Sequence, residues 1–187
     1  MTENISGKRV AFVMTDGFEE IELTSPWEAV KNAGGTPVLI APEAGEVQGF
    51  NHDTKSDTFP VDLTLADAKV ADFDALVLPG GVLNADALRV DESAQAFARG
   101  FFEAQKPVAA ICHAAWLLIE ADVVSGRELT SYPTLKTDLV NAGATWVDEE
   151  VVVDQGFVTS RSPEDLTAFN AKVVEEIWEG EHAGQHA

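Results

Sequence analysis

The sequence predicts an α/β fold in which helices cover both faces of a mostly parallel central sheet. Two observations support this class. Short apolar runs alternate along the chain with stretches whose apolar residues recur at helical spacing, as in folds built from strand–helix–strand units. Hydrophobic residues make up 45% of the 187 residues, which is enough for one full core. We therefore expect a single domain over residues 1–187, with a core at about 8–178 and a polar tail at 179–187.

The first half of the chain predicts four strands and two helices. A helix at residues 19–33 contains Pro26, which predicts a kink or a restart because proline lacks an N–H and clashes with the preceding turn. A second helix is predicted at 91–105, where Asp91 is a candidate N-cap. Residues 43–58 are polar and contain glycine, so they predict a loop or a hairpin. The strands are expected at 8–14, 37–41, 59–65 (at a sheet edge) and 74–78.

The second half continues the alternation. A strand at 108–111 is followed without a loop by a helix at 113–121, and Ser162 is a candidate N-cap for the last helix. The other elements are strands around residue 129 and at 147–153 and 157–160, and helices at 133–142 and 163–178. Open sheets of this kind bind ligands at the carboxyl ends of their strands. Four segments that follow strands are therefore expected to meet at one rim: residues 16–22, 79–86, 112–113 and 131–133.

The charge of the chain limits its partners. There are 32 acidic and 12 basic residues, so the net charge is −20 and the pI is near 4.3. Nucleic acids and anionic membranes bind cationic surfaces, so neither is an expected partner. A net charge this far from zero also weakens the compact state unless salt screens it, which predicts a halophilic protein. The alternative is a well-solvated acidic surface without functional meaning.

The sequence also predicts where the protein works. It has no apolar run near the ~20 residues of a membrane-spanning helix, and its first residues lack the apolar stretch of a signal peptide. A single cysteine cannot form an intrachain disulfide, which suits a reducing compartment. We expect a cytoplasmic protein.

The single cysteine, Cys112, is the strongest candidate for chemistry. It lies where an apolar strand turns directly into a helix, the layout of a nucleophile elbow. A thiolate is the reactive form, and the N-terminus of a helix stabilises it. The alternative is a buried cysteine that acts as a small hydrophobic residue.

Backbone groups and a histidine are expected beside this cysteine. Gly80 and Gly81 end a strand without side chains, so their N–H groups and that of His113 could form an oxyanion hole; the alternative is an ordinary glycine loop. Adjacent residues on a turn point apart, so His113 is expected to act on the substrate rather than as the base for Cys112, and to be oriented by a carboxylate from elsewhere. The other histidines, in polar segments, are His52, His182 and His186.

Carboxyl groups start the first helix. Glu22 lies between two apolar residues, so it is expected to point inward, keep its proton and donate a hydrogen bond to the thiolate. Glu19, expected at the pocket, and Glu20 are otherwise explained as solvated residues that complement the helix dipole. The residues do not have the spacing of a metal site, and no glycine pattern for nucleotides is present, so no metal and no cofactor are expected.

Five runs in order resemble the ThiJ/PfpI family of the class I glutamine amidotransferase-like superfamily. They are TDGFEEIEL (15–23), ALVLPGG (75–81), AICH (110–113), TSYP (130–133) and GATWVD (143–148). The resemblance covers about residues 8–178 and implies a flavodoxin-like three-layer sandwich with a reactive, oxidisable cysteine at a subunit interface. This sequence departs from the family pattern Cys-His-Gly-Pro, since it has Cys-His-Ala-Ala at 112–115.

The resemblance also implies roles for particular residues. Cys112 corresponds to the nucleophile, His113 to the histidine after it, and Glu22 to the glutamate that hydrogen-bonds the thiol. Gly81 corresponds to part of the oxyanion hole and Tyr132 to a pocket tyrosine. In the PfpI branch a glutamate of a neighbouring subunit orients the histidine, and the candidate here is the shorter Asp86.

The function implied by the resemblance is attack of the thiol on an electrophilic carbonyl. The expected substrate is a small carbonyl compound such as methylglyoxal, or a glycated side chain, in a glyoxalase or deglycase reaction. The expected partner is a second copy of the chain, in a dimer or a larger assembly such as a hexamer. The alternatives are a redox-sensing or chaperone-like stress protein, whose cysteine is oxidised without turnover, and an intracellular cysteine peptidase.

Overall fold

The computed structural model describes residues 3–185 and 187 and is built around a seven-stranded sheet. In order across the sheet, its strands are β11 (Val152–Asp154), β12 (Phe157–Ser160), β8 (Val108–Ile111), β7 (Ala75–Leu78), β1 (Arg9–Val13), β3 (Thr36–Ala41) and β6 (Leu63–Thr64). All neighbours are parallel except β11, which pairs antiparallel with β12. This confirms the predicted α/β class with a mostly parallel sheet.

Helices cover both faces of this sheet. On one face lie α1 (Glu20–Asn32) and α6 (Leu166–Glu179), which pack against each other. On the other lie α2 (Val82–Arg89), α3 (Glu92–Glu103), α4 (Ala115–Glu120) and α5 (Lys136–Asn141). Side chains of β1 alternate between the two cores, with Ala11 and Val13 in one and Val10 and Phe12 in the other. The strands are therefore buried on both faces, as their continuous apolar runs indicate.

Two smaller sheets lie beside the main one. β2 (Phe18–Glu19) pairs with β4 (Glu46–Asn51), which forms a hairpin with β5 (Thr54–Pro60). β9 (Glu128–Leu129) pairs with β10 (Thr145–Trp146). The hairpin is the second of the two possibilities predicted for residues 43–58. No helix in the described part of the chain has the length and apolarity needed to cross a membrane.

Several predicted elements differ from the structure. Pro26 lies inside one continuous helix, so a restart before it is wrong. The run at 59–65 is not a single strand, because it is divided between the end of β5 and β6. Of residues 147–153, only the last two belong to β11. The sequence analysis did not predict α2, whose first residues directly follow the Gly80–Gly81 pair.

The end of the chain is also more ordered than a polar tail suggests. The N–H of His182 donates to the carbonyl oxygen of Gln105 at 2.9 Å, and Gln185 is buried. Ser162, predicted as an N-cap, makes no side-chain capping bond to the short 3-10 turn that precedes α6. His186 lies outside the described residues.

Candidate active site

The backbone places Cys112 at a sharp turn. It follows β8 directly and has a φ of +61°, a left-handed conformation that non-glycine residues seldom adopt. The next residues form a 3-10 turn that leads into α4, and the carbonyl oxygen of Cys112 accepts a hydrogen bond from the N–H of Tyr132 at 3.0 Å. The side chain is 7% exposed. This is the strand–turn–helix geometry of a nucleophile elbow.

His113 contacts the thiol of its own neighbour. Its Nδ1 lies 3.1 Å from Sγ of Cys112, so the expectation that the two side chains point apart is wrong. The contact forms at the elbow, where Cys112 has a positive φ and His113 lies in the 3-10 turn that follows. Burial lowers the pKa of His113, so the imidazole is neutral near pH 7 and can accept a proton from the thiol.

Neighbouring rings hold the imidazole in place. The ring of Tyr132 stacks on that of His113 with 4.6 Å between centroids, and the ring of Trp116 meets it at 5.4 Å, edge to face. Thr134 Oγ1 lies 3.5 Å from Nε2. Aromatic packing therefore orients the histidine within one chain, in addition to the carboxylate from elsewhere that the sequence analysis expected.

Glu22 is buried against the sulfur. Its side chain is 0% exposed, and Oε2 accepts a hydrogen bond from the N–H of Gly80 at 2.7 Å. The other oxygen, Oε1, is buried and accepts no hydrogen bond from the described residues, so it can carry the proton and donate to Cys112. Burial is the largest cause that raises the pKa of Glu22, to about 8. The inward-pointing carboxyl group predicted from the sequence is therefore observed.

Opposing effects act on the thiol. Burial and the negative charge of an ionised Glu22 raise the pKa of Cys112, while the backbone N–H groups of Gly81 and His113 lower it. The sequence analysis considered two stabilising effects, of the helix end and of a protonated Glu22, and did not consider the opposing effect of burial. Because a thiolate and a carboxylate here would repel each other, Glu22 keeps its proton at neutral pH, and the neutral carboxyl group opposes formation of the thiolate less than an ionised one would.

The two glycines fit tightly between this cysteine and the chain around Gly17. A Cβ on Gly80 would lie 2.8 Å from the Cβ of Cys112. Gly81 has a φ of +86°, and a Cβ there would overlap the carbonyl oxygen of Gly17. The glycines therefore allow close approach of the backbone, which the alternative of an ordinary loop does not require.

Asn84 orients the peptide between these glycines. This residue is 0% exposed, and its Nδ2 donates to the carbonyl oxygens of Pro79 at 3.0 Å and Gly80 at 2.8 Å. Its Oδ1 accepts from the N–H of Thr15 at 2.8 Å. With the Gly80 carbonyl held by Asn84, the N–H of the same peptide, on Gly81, points the opposite way, toward Cys112. The sequence analysis missed Asn84; the available signal was an asparagine three residues after the glycine pair.

The four predicted rim segments all line one cavity of about 890 Å³ that contains Cys112. Glu19 and Tyr132 line it, as expected. Three further segments that the analysis missed also line it: the tip of the β4–β5 hairpin, with His52 and Asp53, the loop after β10, with Asp148, and the loop after β12, with Arg161 and Glu164. For the third, the available signal was a charged loop at the carboxyl end of a strand.

Glu19 and Glu20 have structural partners beyond the helix dipole. Oε2 of Glu19 accepts from the N–H of His52 at 3.0 Å, and Oε2 of Glu20 accepts from that of Asp57 at 3.0 Å. Both carboxylates therefore fasten the hairpin beside the pocket. Asp86 is exposed on α2 and is not among the described residues that line the cavity of its own chain.

Among the described residues, side chains close enough to share a metal ion are Glu176, Glu179 and His182. They lie at and beyond the end of α6, and none of them lines the Cys112 cavity. The thiol, imidazole and carboxyl groups of the cavity are therefore candidates for acid–base and nucleophilic chemistry.

A mostly parallel α/β sheet with a buried cysteine at a nucleophile elbow defines the class of this protein, and comparisons identify the family. A sequence model described as the DJ-1/PfpI family matches residues 8–176. The chain is 45% identical over 163 residues to a Bacillus subtilis protein named "Putative cysteine protease YraA", covering 87% of this chain and 94% of that one. The chain belongs to the DJ-1/PfpI family, which confirms the resemblance found in the sequence.

Solved structures show the same fold. Drosophila melanogaster DJ-1beta matches with a TM-score of 0.80 and 30% identity, over 92% of this chain and 94% of that one. An Anabaena variabilis protein with DJ-1/ThiJ/PfpI-like and ferritin-like domains matches with a TM-score of 0.85 and 32% identity, over 91% of this chain. This chain spans 50% of that two-domain protein.

Proposed function

We propose that this protein is a cytoplasmic, cysteine-dependent enzyme that hydrolyses small reactive carbonyl compounds or their adducts on amines. The observation that carries the proposal is the surroundings of Cys112: an imidazole nitrogen at 3.1 Å, a buried carboxyl group that keeps its proton, and backbone N–H groups directed at the sulfur. These are the parts needed to form a thiolate, to add it to a carbonyl carbon and to stabilise the resulting oxyanion.

The first step forms a bond between sulfur and carbon. The thiol proton passes to Nδ1 of His113, the thiolate of Cys112 adds to the aldehyde carbon, and the N–H of Gly81 stabilises the oxyanion. Protonation of that oxygen gives a hemithioacetal. With methylglyoxal, moving a proton from the aldehyde carbon to the neighbouring carbonyl carbon through an enediol gives a thioester. Water then releases lactate and restores the thiol, so methylglyoxal and one water account for all atoms.

The size and burial of the site favour a small substrate over a folded polypeptide. Cys112 is only 7% exposed, at the bottom of a cavity of about 890 Å³, within the range of small-molecule sites. A peptidase is the second candidate function, because the name of the Bacillus subtilis relative, "Putative cysteine protease YraA", favours it.

The test compares wild type with Cys112→Ala for loss of methylglyoxal and formation of lactate, with folding checked by circular dichroism. We expect the variant to lose nearly all turnover. Equal rates in the two proteins would contradict the cysteine mechanism. Casein digestion by wild type that is lost in Cys112→Ala, without carbonyl turnover, would favour the peptidase. If wild type has neither activity but peroxide raises the mass of Cys112 stoichiometrically, the redox-sensing alternative is favoured.

We also propose that the site is completed in a homo-oligomer. The helix α2 begins at the mouth of the cavity, where Val82 is 51% and Leu83 is 58% exposed. Asp86 lies four and three residues further on, and therefore on the same side of the helix. Apolar side chains exposed beside a pocket favour coverage by a second copy of the chain, which would bring Asp86 toward the neighbouring His113.

A further inference from the structure

The charges around the Cys112 cavity are strongly unbalanced. Its lining contains one guanidinium group and five carboxyl groups, which belong to Glu19, Glu22, Asp53, Asp148 and Glu164. Glu22 holds a proton near neutral pH, because its pKa is raised to about 8. The other four carboxylates place negative charge in the lining of the cavity.

Arg161 does not offset this charge. Its Nε and Nη2 donate to the two carboxylate oxygens of Asp165 at 2.8 and 2.9 Å, and its Nη1 donates to Asp148 at 2.8 Å. Two carboxylates thus neutralise one guanidinium group, and its donors are used. An anionic group entering the cavity finds no free cation there among the described residues.

Three carboxylates remain at the cavity without a Lys or Arg partner in the described part of the chain: Glu19, Asp53 and Glu164. The nearest basic group to Glu19 is His52, whose Nδ1 is 4.0 Å away and whose side chain is 81% exposed. The site itself is defined independently of these carboxylates, by the thiol of Cys112 and the imidazole of His113 in the same lining.

We propose that the Cys112 cavity selects its ligand by charge: it admits neutral and cationic compounds and rejects anionic ones, with Asp53 and Glu164 as specificity-determining residues. Under the proposed function, on which this assignment of substrate class rests, the substrates are uncharged 2-oxoaldehydes or adducts on protonated amines and guanidinium groups. Carbonyl compounds that carry a carboxylate are excluded. The net charge of −20 acts in the same direction at longer range.

The test uses the thiol itself, so it does not depend on turnover. Methanethiosulfonates with a trimethylammonium, a hydroxyl or a sulfonate group form a mixed disulfide with the Cys112 sulfur and release methanesulfinate. Intact mass follows each reaction at one site, because the chain has a single cysteine. Each rate constant is divided by that of a neutral small thiol, N-acetylcysteine amide, with the same reagent. At low salt we expect the cationic reagent to be favoured over the anionic one by about tenfold, falling toward parity in 1 M KCl.

A matched pair of variants separates the cavity from the net charge. Asp53→Asn/Glu164→Gln removes two charges at the cavity, and Glu103→Gln/Glu128→Gln removes two exposed charges that are not in its lining. The first pair should lower the preference for the cationic over the anionic reagent about threefold. The second pair should leave that preference within about 1.5-fold of wild type. Equal effects of the two pairs, a wild-type ratio within twofold, or no labelling by any reagent would overturn the proposal.

The outcome is distinguishable from failure of the proposed function. Charge-selective labelling without methylglyoxal turnover would support the charge selectivity and contradict the proposed carbonyl chemistry. Turnover without charge-selective labelling would support the carbonyl chemistry and contradict the charge selectivity.

Discussion

The buried carboxyl group of Glu22 should make the stability of this protein fall as the pH rises. Glu22 is fully buried beside Cys112, and burial raises its pKa from an ordinary 4.5 to about 8. In the unfolded chain the same group ionises near its ordinary value. Between these two values the unfolded state has lost the proton that the folded state still holds, so the free energy of unfolding decreases with pH. The contribution is complete below about pH 4.5 and is lost by about pH 8.

The magnitude follows from the interval between the two pKa values. The interval spans about 3.5 pH units, and each unit changes the free energy of unfolding by about 1.4 kcal/mol, so the full effect is about 5 kcal/mol. Relaxation of the site and entry of water lower this ceiling, and we expect about 3 kcal/mol between pH 5 and pH 8. Glu22→Gln keeps the shape of the side chain and cannot ionise, so the variant should lack this slope.

The assay is urea unfolding of wild type and Glu22→Gln at half-unit steps from pH 5 to pH 8. Subtracting the two curves cancels titrating groups that do not interact with Glu22, including Glu176, whose pKa is also raised by burial. Wild type should become less stable relative to the variant as pH rises. Glu28→Gln is the matched control, because Glu28 is exposed on the same helix and its removal should shift stability by a few tenths of a kcal/mol at every pH. A difference between wild type and Glu22→Gln that is independent of pH would refute the reasoning.

Three further predictions concern the elbow, the charge and the assembly. Asn84→Ala should destabilise the protein by about 2–3 kcal/mol in urea unfolding, because it leaves the N–H of Thr15 without its partner. The same variant should slow iodoacetamide labelling of Cys112, because Asn84 holds the Gly80 carbonyl. Unchanged labelling would contradict the positioning role of Asn84. The melting temperature should rise as KCl increases to 1 M, where the Debye length is ~3 Å, because salt screens the repulsion between acidic residues. A melting temperature that does not depend on salt would contradict the halophile prediction. Mixed Cys112→Ala and Asp86→Ala subunits should regain part of the lost turnover; no recovery after confirmed subunit exchange would count against a site shared between subunits.

The fold was predictable because its signals are local. The core strands are continuous apolar runs, and α3 combines the N-cap Asp91, whose carboxylate accepts from the N–H groups of Ser93 and Ala94, with a buried apolar face. The errors also have local causes. Helix α2 is only eight residues long and begins with two exposed apolar residues, Val82 and Leu83. Pro26 is accommodated in α1 although proline usually interrupts a helix. Strand pairs as short as β9 and β10 depend on contacts between distant segments, which periodicity does not reveal.

The candidate site was predictable only in part. Cys112, Glu22 and the glycine pair could be chosen because residue type and place in an element limit what they can do. The contact between Cys112 and His113 depends on the detailed backbone and side-chain angles at the elbow, which residue spacing does not give. The contributions of Asn84 and Arg161 come from hydrogen bonds that link them to other segments, and sequence spacing alone does not identify these partners.

The position of the site follows from the order of the strands. Strands β1, β7 and β8 are adjacent in the sheet, so the segments that follow them, which carry Glu22, Gly80 and Cys112, come together at one edge. The helix after β1 lies on one face of the sheet, and the helix after β7 lies on the other, which opens a crevice between the two strand ends. The carboxyl group enters this crevice from one side and the thiol from the other. A buried, protonated Glu22 against the sulfur is thus a consequence of strand order, which brings residues that are distant in sequence to one site.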